Sequence, residues 1–294
     1  SQYFSTVEIN SSFYRPPAEN HCAEWCRRVV ESPDFRFTVK LWKGFTHEGG
    51  SASPRTDSRT SEMTAGLESL HEVDNTFTSQ DFRLDETVAS RFQKALDVFH
   101  EQGRLGCVLV QFPWSFKNVS DSRRRLAEIL HRFSLYPLAV EVRHASWNVP
   151  EFYRYLTDRG VGFVNIDQPL FARSIGPSAR VTWKVGYIRL HGRNYNNWFR
   201  GDAGRDVRYD YLYSMEELHD WVRRAAEIAK NAGEVYIITN NHFRGQAICN
   251  AHQLQFLLSG RPVRIADTVL EAFPQLNEIT CCRDGQTTIH RGPL

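Results

Sequence analysis

Seven short, β-branched-rich runs recur along this chain, and helical patterns separate most of them; no other feature constrains the fold as strongly. The runs are 5–10 (STVEIN), 36–42 (RFTVKLW), 106–111 (GCVLVQ), 138–143 (LAVEVR), 162–167 (GFVNID), 186–191 (GYIRLH) and 234–241 (EVYIITNN). Each is about as long as an ordinary strand. Helical spacing appears over 18–31, 86–101, 121–133, 151–158, 215–231 and 246–258. In 86–101 it places Val88, Phe92, Leu96 and Phe99 on one face. Ser214 and Glu217 form a capping box ahead of 215–231, and Gly260 with Pro262 closes 246–258. Strands that alternate with helices need crossover connections and therefore a parallel sheet. Seven such units in 294 residues approach a TIM-type (β/α)8 barrel, which takes roughly 250 residues. The rival is an open doubly wound sheet, but no G-x-G-x-x-G follows the first strand. The reading is therefore an α/β barrel over a single domain, 1–294, with a polar Ser/Thr/Gly/Glu-rich surface insertion at about 47–81. Residues 173–180 read as a further loop, and the tail after Pro274 has too little periodicity to assign.

In a strand, residues two apart share a face. Val7 and Ile9 oppose Thr6, Glu8 and Asn10; Val39 and Leu41 oppose Thr38, Lys40 and Trp42; Val140 and Val142 oppose Glu141 and Arg143. Leu109 and Gln111, Asn165 and Asp167, Arg189 and His191, and Thr239 and Asn241 likewise stand opposite aliphatic neighbours. If every aliphatic face meets the helices, the polar faces line the barrel interior. Glu8, Asn10, Lys40, Gln111, Glu141, Arg143, Asn165, Asp167, Arg189, His191 and Asn241 then converge at the C-terminal mouth, where barrel enzymes hold their active sites. A space-filling ion network is the bland alternative. It is a poor explanation for so many charges, because apolar replacement of buried ion pairs is often neutral or stabilising.

The chemistry follows from residue types. Glu141, Asp167, His191 and Glu8 are the candidates for proton transfer, with Glu8 and Glu141 able to face each other as a glycosidase pair. Lys40, Arg143, Arg189, Arg193 and Arg244 are cations that would hold an anion, alongside Asn241 and His242. Arg244 and Gly245 lead into a helix N-terminus, a common phosphate site after the last barrel strands. Trp147 and Trp198 follow strands and suit stacking on a base or sugar, as do Trp42 and Trp114. A divalent metal on Glu8, Glu141, Asp167, His191 or His242 is the less favoured reading, since cations sit beside each carboxylate and no H-x-x-x-H spacing occurs. No cofactor motif is present, and neither a serine elbow nor a Walker loop occurs.

Composition narrows the class. A net charge of +2 is too small to mark a nucleic-acid binder by field alone, although arginine far outnumbers the six lysines. No apolar run reaches the roughly 18 residues of a membrane span. The six cysteines contain no CxxC pair, and no basic-then-apolar leader opens the chain, so a cytoplasmic protein with reduced thiols is expected. Nothing in the sequence specifies an oligomeric state.

Seven segments are recognisable together: TVEINSSFYRPP (6–17), FTVKLWKGFTH (37–47), GCVLVQFPWSF (106–116), AVEVRHASW (139–147), VNIDQP (164–169), YIRLHGRN (187–194) and NNHFRGQA (240–247). They resemble domain-of-unknown-function family seventy-two, the YecE-like proteins, in the family's order from Thr6 to about Leu258. The resemblance implies a TIM barrel with its motifs at the strand ends, and it brings no established reaction. Members usually open with a strand reading like I-G-T-S-G-W, whereas this chain starts at Ser1-Gln2-Tyr3-Phe4. VEIN would then be strand two and VYIITNN strand eight, with open edges flanking the missing first strand unless another segment fills the gap.

The expectation is an enzyme, a hydrolase or lyase acting on a small anionic substrate: phosphorylated, nucleotide-like or nucleic acid. The alternative is a non-catalytic module that binds a nucleic acid or protein in the same pocket, and the third reading is a glycoside-acting enzyme using Glu8 and Glu141.

Overall fold

The computed structural model describes residues 2–47, 84–198, 200 and 206–281. The insertion expected at 47–81 lies outside the described residues, apart from His47. Seven parallel strands follow one another in sequence order: β1 Thr6–Ile9, β2 Arg36–Lys40, β3 Leu105–Gln111, β4 Leu138–Glu141, β5 Gly162–Asp167, β6 Val185–Leu190 and β7 Glu234–Thr239. Helix α1 (Glu19–Arg28) follows β1; short α2 (Lys43–Thr46) and long α3 (Glu86–Glu101) lie between β2 and β3. Helices α4 (Ser120–Arg132), α5 (Pro150–Asp158) and α6 (Met215–Ala229) follow β3, β4 and β6, and α7 (Gln246–Ser259) and α8 (Asp267–Ala272) follow β7. The crossover from β5 to β6, residues 168–184, contains no helix.

Local chemistry accounts for these limits. Asp85 caps α3 by accepting from the Val88 amide. Ser214 and Glu217 close the expected capping box on α6. Pro150 occupies the first turn of α5, where its missing N–H is no loss. Gly260, at φ 63°, ends α7 in the left-handed conformation that glycine adopts without strain.

The result is a nearly closed parallel barrel of the TIM type. Outward-facing Val39, Val108 and Leu138 stand in register on β2, β3 and β4. Phe92 and Phe99 of α3 and Leu126 and Ile129 of α4 are buried in the same apolar cluster. Leu218, Trp221 and Ile228 of α6 cover Ile188 and Leu190 of β6. Among the described residues no backbone ladder joins β1 to β7. Residues before β1 run to α7, where Gln255 Nε2 donates to the Tyr3 carbonyl at 2.7 Å and the Phe4 ring lies 4.7 Å from that of His252. No described helix is long and apolar enough to cross a membrane.

Register decides which face is inside. Glu8 pairs with Thr38 and Thr38 with Cys107; Gln111 pairs with Glu141; Ile166 pairs with Arg189, and Arg189 with Ile238. Partners in register share a face, so β5 and β7 turn their aliphatic residues inward and their polar ones toward the helices. Asn165, Asp167 and Asn241 are therefore outside the barrel, against the expectation that they line its mouth. Asn165 is used by the helix-free crossover. Its amide Nδ2 donates to the Arg180 carbonyl at 2.9 Å, while its Oδ1 accepts from the Arg180 amide at 2.8 Å and from Ser178 Oγ at 2.6 Å. A buried loop lacks internal backbone partners, and this side chain supplies them.

Candidate functional site at the barrel mouth

The interior is organised around Arg189, which is fully buried on β6. Its guanidinium clamps Glu8 with Nε at 3.0 Å and Nη2 at 2.6 Å, so that β6 is tied to β1 across the position of β7. Nη1 donates to Glu141 Oε2 at 2.7 Å and Gln111 Oε1 at 3.0 Å. Tyr187, two residues earlier on the same face, donates to Glu8 Oε2 at 2.8 Å and lies 3.0 Å from Thr38 Oγ1. One guanidinium thus bridges both inward carboxylates, and each receives the hydrogen bonds that a buried charge requires.

The polar order continues through His191. Arg189 only donates, so Asn240 must turn its Oδ1 toward Nη2, 3.4 Å away. Its Nδ2 is then directed at His191 Nδ1, at 3.1 Å. Nδ1 accepts, the proton sits on Nε2, and Nε2 donates to Glu141 Oε1 at 3.0 Å. Burial pushes the His191 pKa down to about 3, helped by the Arg143 and Arg189 charges and opposed by Glu141. Glu141 is held well below the usual carboxylate range: burial works against its charge, but the neighbouring Arg189 and Arg143 outweigh it. Glu141 is therefore a fixed anion and His191 a fixed neutral donor. Neither has the free valence that a proton shuttle needs, and Glu141 cannot serve as the protonated acid of a glycosidase pair.

Two further cations, Arg143 and Lys40, are less fully engaged. Arg143 donates Nε to Glu141 Oε1 at 3.0 Å, its side chain is 12% exposed, and its guanidinium carbon lies 5.9 Å from the Trp198 ring centre. Lys40, at the C-terminal end of β2, puts Nζ 3.9 Å over the Phe13 ring. No carboxylate among the described residues makes an ion pair with it. Its backbone is fixed from the same turn, where Ser12 Oγ lies 2.6 Å from both the Lys40 and Ile9 carbonyls. Burial and then the Arg189 charge bring the Lys40 pKa down to about 7. His47, edge-on to Phe13 at 4.9 Å, is pushed to about 3 by burial and then by Lys40 and Arg143.

The remaining candidates separate from this centre. Asp167 faces α6: both of its oxygens accept from Arg193 Nε, at 2.9 and 3.1 Å, and Oδ2 also accepts from Trp221 Nε1 at 3.2 Å. Arg193 spends Nη1 on Glu217 at 2.9 Å, so it braces β5 against α6 and is not free to grip an anion. Asn241 Nδ2 donates to the Tyr211 carbonyl and to Asn250 Oδ1 on α7. Arg244 is exposed and lies over its own Phe243 ring. His242 contacts Asp206 at 3.2 Å and stacks near Tyr209. Trp147 is a core residue stacked on Phe116, donating to that residue's carbonyl at 2.7 Å. Of the four predicted stacking tryptophans Trp198 lies 6.4 Å from the His191 ring, whereas Trp42 packs edge-on to Phe45 and Trp114 to His144. Asp167 cannot join Glu141 and His191 around one ion, and among the described residues no three His, Cys, Asp or Glu side chains form a metal-binding group.

Four contributors escaped the sequence reading. Tyr187 was legible, being two residues before Arg189. Asn240 follows from the inward setting of Ile238, which only register supplies. Thr38 and Phe13 carry no sequence signal beyond their neighbourhood.

A family model described as "Protein of unknown function DUF72" matches residues 1–274. The chain belongs to the DUF72 family. A DUF72 protein of Thermotoga maritima is 30% identical, with 87% of this chain and 85% of that one covered at a TM-score of 0.69. A DUF72 protein of Enterococcus faecalis is 25% identical, with 89% of each chain covered at a TM-score of 0.68. The UPF0759 protein YunF of Bacillus subtilis is 28% identical over 284 residues, 93% of this chain and 90% of its own length. None of these names states an activity, and the likeness supports the barrel and the order of its motifs.

Proposed function

We propose that the mouth of this DUF72 barrel is a catalytic site for a small phosphorylated or otherwise anionic substrate, and that the reaction is of the lyase type. One observation carries the reading: the layer sets three cations, Lys40, Arg143 and Arg189, against two carboxylates, Glu8 and Glu141, both already held by Arg189. The excess positive charge falls on Lys40 and Arg143, which stand at and just beyond the C-terminal ends of β2 and β4. A low-dielectric wall strengthens its attraction for an anion. Arg143 suits phosphate or carboxylate, because Nε is locked on Glu141 while Nη2 makes a long 3.4 Å contact to His191 Nε2, whose own proton is turned to Glu141. Lys40 is the inward group that exchanges a proton near neutral pH, which favours proton abstraction next to an electron-withdrawing group over hydrolysis by a carboxylate-activated water.

The test is thermal stabilisation by inorganic phosphate, mononucleotides and short oligonucleotides. Phosphate-bearing small molecules are expected to raise Tm, and Arg143→Met is expected to abolish the increment. An equal increment in that variant, or none with any phosphate, refutes the site. Stabilisation by oligonucleotides alone favours a nucleic-acid-binding module.

A further inference from the structure

We infer that Lys40 is a covalent residue, whose amine adds to the carbonyl carbon of a small aldehyde or ketone carrying a phosphate or carboxylate and forms a Schiff base. Lys40 can take this part only if the mouth binds an anion as proposed above; what is added is the carbonyl and the bond.

The surroundings of the amine differ from those of a structural lysine. A buried lysine is ordinarily paired with a carboxylate or kept charged at the surface. Here both nearby carboxylates are saturated: Glu8 by Arg189 and Tyr187, Glu141 by Arg189, Arg143 and His191. The partner left to Lys40 among the described residues is the face of Phe13, 3.9 Å away. An aromatic face attracts an ammonium but takes no proton and leaves the nitrogen lone pair, once formed, uncommitted. Burial and then the Arg189 charge, with a smaller part from Arg143, favour the neutral form of this amine against the opposing pull of Glu8 and Glu141, and the neutral form is the one that attacks carbonyls. Arg143 offers a place for the substrate's anionic group beside the nucleophile. The 3-10 turn that carries Phe13 also fixes the Lys40 backbone through Ser12, so the amine projects from a held strand end.

The step balances without a co-reactant. The amine nitrogen forms a bond to the carbonyl carbon while the C=O π electrons pass to oxygen, which takes a proton. Loss of that oxygen as water, with the protons from nitrogen, leaves the imine. Protonated, the imine draws the electron pair of an adjacent C–H bond toward nitrogen, and the proton passes to the water released in the preceding step. Glu8 and Glu141 remain ionised throughout and compensate the cationic iminium.

The experiment uses the full chain with glycolaldehyde phosphate as probe and cyanoborohydride to trap the imine, read by intact mass and peptide mapping. The expected result is one adduct on Lys40 in preference to the other five lysines, suppressed by excess inorganic phosphate and absent from Lys40→Met. Trapping at Lys40 should reach its plateau just above neutral pH, while an ordinary lysine's rate keeps rising toward about pH 10. Adducts spread over exposed lysines, with Lys40 unmodified while phosphate still raises Tm, overturn the Schiff base and leave the anion site standing. No adduct and no phosphate response overturn both. A Lys40→Met protein that unfolds in urea as cooperatively as the parent shows that loss of the adduct is not loss of fold.

Discussion

Lys40→Met should make the protein more stable, by an amount that shrinks as pH rises. Burial first, and Arg189 second, lower the pKa of this amine from 10.5 to about 7. The unfolded chain titrates at the ordinary value, so between the two values it binds a proton that the folded chain rejects. Folding is fully favoured above 10.5, loses stability as pH falls toward about 7, and changes no further below that. The interval corresponds to a penalty of about 5 kcal/mol, most of it present at pH ~7 and about 1 kcal/mol of it left at pH ~9.5. Methionine keeps the unbranched apolar stem and removes the charge. Urea unfolding of both proteins across that range checks the claim. Cysteines and tyrosines titrate alike in the two chains and cancel in the difference. A stability difference that stays constant with pH, or a Met variant that is weaker throughout, refutes the account of a strained amine.

Other consequences follow from the same network. Glu141→Gln removes half of the anionic charge around Arg189 and is expected to cost about 3–5 kcal/mol in urea unfolding, as breaking buried pairs does; a loss below about 1 kcal/mol, the range of exposed pairs, would mean that the pair is screened. His191 should stay neutral, with its proton on Nε2, down to a pH of about 3, so nitrogen NMR at mildly acidic pH should show no protonation of this ring. Its lowered pKa also means stability is lost as pH falls from 6.5 toward about 3. Gly162→Ala would bring a methyl group to 2.8 Å from the Val185 carbonyl between β5 and β6, where backbone cannot yield cheaply, and should lower stability by about 1–3 kcal/mol by the same assay.

Much of this architecture was present in the one-dimensional pattern. Alternating runs located the strands to within two residues at each end, because β-branched clusters and helical spacing are local properties of neighbouring side chains. The two-residue period also paired Glu8 with Thr6, Glu141 with Arg143 and Arg189 with His191 on common faces. The period does not say which face points inward. Assigning every aliphatic face to the helices succeeds for β1 through β4 and for β6, and fails for β5 and β7. There Ile166 and Ile238 flank Arg189 inside the barrel, while Asp167 and Asn241 bond to groups outside it. That choice is made by register with neighbours far away in sequence, and by the need of a helix-free crossover for side-chain hydrogen bonds. The sequence alone could therefore name the charged residues; only their three-dimensional pairing reveals that both carboxylates are spent on one arginine and that a lysine is left over.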